Sequence, residues 1–162
     1  MTEIILHNIR SAHNVGSIFR TADGAEVTKI YLTGYTPTPV DRFGRVVKEI
    51  EKTSLGATEG VLWEQYEDPY VLIEKLKSEG STVVAVEQDQ TSIPYDTFIP
   101  PEKTVYIFGN EVDGVDPELR KQADAIIEIP MYGKKESLNV SVTAGIILFQ
   151  HRSHQKESSS LG

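Results

Sequence analysis

Short runs of β-branched and aromatic residues alternate along the chain with segments of helical hydrophobic period, and this alternation narrows the fold to one class. EIILHN (residues 3–8) is followed by SAHNVGSIFRTADGAEV, where Val15, Ile18, Phe19 and Ala22 recur at helical spacing. Ser11 or Asn14 can cap that helix. KIYLTG follows and ends on Gly34. Strand, helix and strand within about 34 residues make the βαβ unit of a parallel sheet. The pattern then continues. PYVLIEKLKSEG predicts a short helix with a glycine stop at Gly80, STVVAVEQ a strand, and TVYIFGNE a strand entering a polar turn. DPELRKQA predicts a short helix with Pro117 in its first turn, and AIIEIP a strand stopped by Pro130.

Other stretches are read less directly. A second helix is expected from near Val40 to Thr53, after the Pro/Gly-rich YTPTPVDRFGR, and residues 54–66 suit either a loop or an irregular strand. The last helix is expected to begin near Asn139 and carry VSVTAGIILFQ. Gly145 within it costs about 1 kcal/mol against alanine, which implies a packing reason such as a close crossing. The expected architecture is a single α/β domain over residues 1–152, a mostly parallel sheet with helices on both faces, with 153–162 as a flexible polar tail.

Composition excludes several classes of function. The 162-residue chain has no cysteine, so disulfides and thiolate metal sites are ruled out, and His7, His13, His151 and His154 do not fall at metal-ligand spacing. No metal is expected. No apolar stretch is long enough for a membrane span, and the N-terminus lacks the pattern of a signal peptide, so a soluble cytoplasmic protein is expected. A formal charge of -8 argues against broad nucleic-acid affinity while leaving room for a local basic patch. GNEVDGVD is not a dinucleotide fingerprint, GKKES is not a P-loop, and no nucleophile elbow occurs.

In open α/β sheets, ligands bind beyond the C-terminal ends of the strands, and three polar clusters fall there: HNIRSAHNVGSIFR, FGNEVDG and IPMYGKKESLN. Taken singly, Asn and Gly after a strand are most often turn residues. Together, the stretches NIRSAHNVGSIFRTADG, VYIFGNEVDGVDPEL and IEIPMYGKKESLNVSVTAG resemble, in order, the three motifs of the SpoU (TrmH-type) RNA 2'-O-ribose methyltransferases of the SPOUT superfamily. The resemblance spans almost the whole chain. It implies a C-terminal deep trefoil knot, S-adenosylmethionine held in that knot, and a homodimer.

Carried over on the matching positions, the resemblance assigns catalytic roles to Asn14, Arg20, Glu111, Ser137 and Asn139. It assigns the cofactor to Phe108, Gly109, Asn110, Glu111 and Gly114 from one loop, and to Ile129, Pro130, Met131, Ser137, Leu138 and Asn139 from the other. In such enzymes the arginine is taken to contact or activate the ribose hydroxyl. A guanidinium stays protonated at ordinary pH, so orienting a phosphate or stabilising a developing alkoxide suits it better than acting as a base.

Arg42, Arg45, Lys48 and Lys52 would share one side of the expected second helix; with Arg10, Lys134 and Lys135 they form a candidate phosphate footprint. Phe43 and Tyr132 are candidates for stacking on bases. The expected reaction is methyl transfer to a ribose of tRNA or rRNA, with tRNA modestly favoured because no extra RNA-binding domain is seen. The alternative is a knotted RNA-binding or assembly protein without turnover; methylation of a base ranks last.

Overall fold

The computed structural model describes residues 1–162. Seven strands form one sheet: β1 (Thr2–His7), β2 (Lys29–Thr33), β3 (Leu62–Tyr66), β4 (Thr82–Val86), β5 (Ile93–Pro94), β6 (Thr104–Phe108) and β7 (Ala125–Glu128). Their order is β3-β2-β1-β6-β4-β7-β5, and every pairing is parallel. Parallel strands need crossovers, which the helices supply: α1 (Ala12–Gly24), α2 (Lys48–Ser54), α3 (Ala57–Gly60), α4 (Pro69–Ser78), α5 (Pro117–Gln122) and α6 (Val140–Ser160).

The strands nearest the centre are covered on both faces, which is why they read as unbroken apolar runs. Ile4, Leu6, Val84, Tyr106 and Phe108 belong to a core with Val15, Ile18 and Phe19 of α1, Ile50 of α2, and Ala144, Ile147 and Leu148 of α6. Ile5, Val83, Ala85, Val105 and Ile107, one position along each strand, face the opposite layer of Leu72, Ile73, Leu76 and Leu119 from α4 and α5. Helix starts follow side-chain capping: Ser11, Asp68, Asp116 and Asn139 each accept a bond from a backbone N–H of the first turn.

Four expectations change. The second helix does not begin at Val40. Residues 40–46 make a loop closed by an antiparallel Val40–Val46 bridge, in which Asp41 Oδ1 accepts from the N–H of Phe43 (2.8 Å) and Arg45 (2.9 Å), and Gly44 sits at φ 77°. A side-chain turn and a left-handed residue outcompete the helix there. Residues 54–66 resolve into α3 and the edge strand β3, and the two-residue β5, too short to show a period, was not foreseen. The final helix continues past 152 to Ser160, with the hydroxyls of Ser158, Ser159 and Ser160 bonded back to carbonyls one turn earlier. Gly145 does not mark a tight crossing within the chain: a Cβ there would meet only Thr21 Cγ2, at an ordinary 3.8 Å. The close crossing lies elsewhere, at buried Gly16, where α1 meets α2.

Candidate active site

Because all strands run the same way, the segments after β1, β4, β6 and β7 emerge along one edge of the sheet. The turn after β6 closes on itself. Asn110 and Gly114 exchange both backbone bonds (3.0 and 2.8 Å), and Asn110 Oδ1 accepts from the N–H of Val112 and Asp113 (2.8 and 2.9 Å). Asn110 Nδ2 reaches sideways, donating to the Asn8 carbonyl (2.9 Å) and to Tyr35 Oη (2.8 Å). A Cβ on Gly109 would overlap the Gly114 backbone, and one on Gly114 would overlap the Glu87 carboxylate. Close approach of backbone therefore demands glycine at 109, whereas at 114 the neighbour is a flexible side-chain end and it is the φ of 69° that favours glycine.

Glu111 projects from this turn to the start of α1. It accepts from the N–H of Arg10 (3.1 Å) and Ser11 (3.1 Å) and from Asn14 Nδ2 (3.3 Å). Burial pushes its pKa up, but the bonds donated to the carboxylate outweigh that and hold it below the ordinary value. Asn14 in turn accepts from Asn139 Nδ2 (3.2 Å), and Asn139 Oδ1 caps α6 by accepting from the N–H of Ser141 (2.8 Å). One polar chain, Glu111–Asn14–Asn139, thus joins segments 97 and 125 residues apart in sequence. On the other side, Gln88 Nε2 donates to the Glu136 carbonyl (2.6 Å) and ties the segment after β7 to the end of β4.

These segments enclose a cavity of about 430 Å³. Phe108, Gly109, Asn110, Glu111 and Gly114 line it from the β6 side, and Ile129, Met131, Ser137, Leu138 and Asn139 from the β7 side. Pro130 does not. Of the residues assigned to catalysis, Glu111, Ser137 and Asn139 are lining residues, and buried Asn14 supports two of them from behind. Arg20 is not brought to them. It is exposed, lies six residues beyond Asn14 on α1, about 9 Å along the axis, and does not line the cavity.

The basic residues are also redistributed. Lys48 and Lys52 are exposed on α2, whereas Arg42 and Arg45 sit on the preceding loop, so the four do not form one helical stripe. The guanidiniums of Arg42 and Arg45 lie 4.8 and 4.9 Å from the centre of the exposed Phe43 ring, and Arg45 Nε also donates to Asp41 Oδ2 (2.9 Å). Arg10 is exposed beside Glu111, and Lys134 and Lys135 are exposed on the segment after β7, next to an almost fully exposed Tyr132.

Several residues were missed from sequence. Glu87, Gln88 and Glu128 line the cavity from the ends of β4 and β7, and Asp113 from the turn after β6. Glu87 accepts from the N–H of Val115 (2.9 Å) and Gln88 (2.8 Å), and Glu128 accepts from Ser92 Oγ (3.0 Å). The available signal was the polar EQ ending the apolar run STVVAV, at the C-terminal end of a central parallel strand. Tyr35, whose hydroxyl anchors Asn110, carried no sequence signal.

Comparison with known proteins gives a concordant result. Residues 1–149 match the model of the SpoU rRNA Methylase family. The chain is 33% identical over 154 residues to the tRNA (guanosine(18)-2'-O)-methyltransferase of Aquifex aeolicus, covering 95% of this chain and 70% of that protein. It is 30% identical over 149 residues to the 23S rRNA (guanosine-2'-O-)-methyltransferase RlmB of Neisseria meningitidis, covering 92% of this chain but only 57% of that one. In three dimensions it is similar to the AdoMet-bound rRNA methyltransferase of Sinorhizobium meliloti, with a TM-score of 0.85 at 30% identity, over 94% of this chain and 56% of the other.

Proposed function

Because the chain belongs to the SpoU rRNA methylase family, we propose that it transfers the methyl group of S-adenosylmethionine to a ribose 2'-hydroxyl of tRNA or rRNA. The observation that carries this reading is the hydrogen-bonded chain Glu111–Asn14–Asn139, one residue from each motif, whose two ends line a single cavity. That cavity is of the size and mixed lining that a nucleoside-containing ligand needs. Apolar Phe108, Ile129 and Leu138 suit an adenine ring, and the peptide groups of the two segments supply donors and acceptors to orient it.

When bound, S-adenosylmethionine supplies a methyl already activated on a sulfonium, so the chain need provide neither a nucleophile nor a metal. Its residues hold geometry. Glu111 and Asn139 fix the two cavity walls against the start of α1, and the tie from Gln88 to the Glu136 carbonyl holds the intervening segment in place. We assign the trefoil knot to the segments that enclose this cavity. Glu111 is a weak base, since its acceptor sites are occupied and its pKa is depressed.

The acceptor side needs a second chain. Arg20 stands away from its own cavity, so in a homodimer we place it at the partner's cavity, where its charge orients a phosphate or stabilises the developing alkoxide. Half-exposed Val142 and Phe149 on α6, one face apart from the buried Ala144 and Leu148, offer an apolar contact for that partner. RNA phosphates would lie along Arg10, Lys134, Lys135 and the loop carrying Arg42 and Arg45. We favour tRNA over rRNA as the substrate, since the match covers 70% of the tRNA enzyme of Aquifex aeolicus and 57% of the rRNA enzyme of Neisseria meningitidis. No helix is long and apolar enough to cross a membrane, and we place the activity in the cytoplasm with the RNA.

The distance of Arg20 from the cavity also favours a second reading, an RNA-binding protein of this fold without turnover. Transfer of labelled methyl from S-adenosylmethionine to separated tRNA and rRNA, with digestion to nucleosides, decides between them. The expected product is a 2'-O-methylated nucleoside, abolished in Arg20→Ala while cofactor binding persists. Cofactor binding with no incorporation into either RNA would support the second reading, and a product lacking a ribose methyl would overturn the first.

A further inference from the structure

Four carboxylates line the cavity, those of Glu87, Glu111, Asp113 and Glu128, and no lysine, arginine or histidine does. None of the four takes part in an ion pair. Some carboxylates elsewhere do have cation partners, as in Lys29–Glu64 (2.6 Å) and Arg120–Asp89 (2.9 Å). Backbone and hydroxyl donors hold Glu87, Glu111 and Glu128, so their positions are set while their charge is left unmatched.

We propose that this cavity selects its ligand by the charge on sulfur: it holds the sulfonium of S-adenosylmethionine and releases the neutral thioether of S-adenosylhomocysteine. The inference rests on the methyltransferase reading and names what drives turnover of the same site. The two ligands share their adenosine, ammonium and carboxylate groups. They differ by one methyl and one positive charge.

Each carboxylate attracts that charge with an energy falling only as the inverse of distance, so four of one sign add without any needing contact. Asp113 is exposed and contributes least, because water and salt screen it. In the transfer, the ribose oxygen forms a bond to the methyl carbon, the carbon–sulfur bond breaks, sulfur keeps the electron pair and becomes neutral, and the hydroxyl proton passes to solvent. The cavity therefore loses its counter-charge at the moment the product forms. Stabilising the sulfonium this way strengthens binding without lowering the barrier to transfer, so the benefit lies in cofactor loading and product release.

Two variants separate charge from structure. Glu128→Gln retains an oxygen for the Ser92 hydroxyl, and the Asp113 carboxylate accepts no hydrogen bond within the chain, so Asp113→Asn removes charge alone. The experiment is calorimetric titration of the full chain, wild type and both variants, with S-adenosylmethionine, S-adenosylhomocysteine and sinefungin, which carries an amine cation in place of the sulfonium. Wild type should bind both cationic ligands at least about tenfold more tightly than the thioether, a ratio corresponding to about one decade in Kd. In Glu128→Gln that preference should shrink severalfold, and in Asp113→Asn by less, with thioether affinity little changed. Equal or tighter thioether binding by wild type overturns the proposal, as does an unaltered preference in both variants. Failure of all three ligands to bind would instead remove the methyltransferase reading, and this inference with it.

Discussion

Replacing Gly16 with alanine sets two physical effects against each other, and their difference can be worked from the structure. Alanine in the middle of α1 should gain about 1 kcal/mol of helix propensity. The new Cβ, however, would overlap Thr53 Oγ1 and lie 2.7 Å from the Ile50 carbonyl oxygen and 3.0 Å from Ile50 Cα, all on α2. The Thr53 hydroxyl is not free to swing away, because its one proton is shared between the carbonyls of Glu49 (2.8 Å) and His13 (3.2 Å); losing that bond costs about 1 kcal/mol. The Ile50 contacts are backbone and yield only if α2 moves, an overpacking cost of about 1–3 kcal/mol. The net expectation is a loss of about 2 kcal/mol, or a fall in Tm of about 4–8 °C for a domain of this size. Urea and thermal unfolding followed by circular dichroism would measure it. Adding Thr53→Ala should recover only part of the loss, since the overlap with Ile50 remains. Asn14, two residues away, should shift with the helix and weaken cofactor binding as well. A Gly16→Ala protein as stable as wild type, or more so, would refute the reasoning, because propensity would then outweigh packing.

Three further outcomes follow from the site and the core. Glu111→Gln puts an amide group against one of three donors, so stability should fall by about 1–2 kcal/mol and cofactor affinity with it; an unchanged urea midpoint would contradict this. In wild type the same carboxyl, depressed in the fold, contributes stability that is present above its ordinary pKa and lost as pH falls through the folded value. His151 is buried between Thr2 Oγ1 and Tyr106 Oη, each 2.8 Å away, and burial lowers its pKa to about 4. The unfolded chain takes up that proton near 6.5 while the fold does not, so stability should fall by up to about 1.4 kcal/mol per pH unit between the two values. Urea midpoints across that interval should slope less in His151→Gln; equal slopes would rule out His151 as the cause. RNA binding should weaken steeply with salt, and the Arg42→Ala, Arg45→Ala double variant should show a shallower dependence; an unchanged slope would take that loop out of the interface.

The sequence by itself determined what is local. Unbroken apolar runs at residues 104–108 and 82–86 meant strands covered on both faces, helical period at Val15, Ile18 and Phe19 meant a crossover, and Ser11 and Asn139 stood where caps were needed. The three motifs stood after strand ends, and the fold ties Asn14 of the first to Glu111 and Asn139 of the other two, which line one cavity. What the sequence left open depended on contacts between distant residues. Turn chemistry at Asp41 and Gly44 overrode the helical spacing of Arg42, Arg45 and Lys48, and dissolved the expected stripe. Arg20 kept its place on α1, but only the packing of that helix revealed that it stands apart from the cavity of its own chain. Glu87 and Glu128 end two strands in no special motif, and it is the neighbouring of β4, β6 and β7 that gathers their charges with those of Glu111 and Asp113. Periodicity and capping act within a few residues and can be read along the chain, whereas the electrostatics of a cavity sum over groups that only folding brings together.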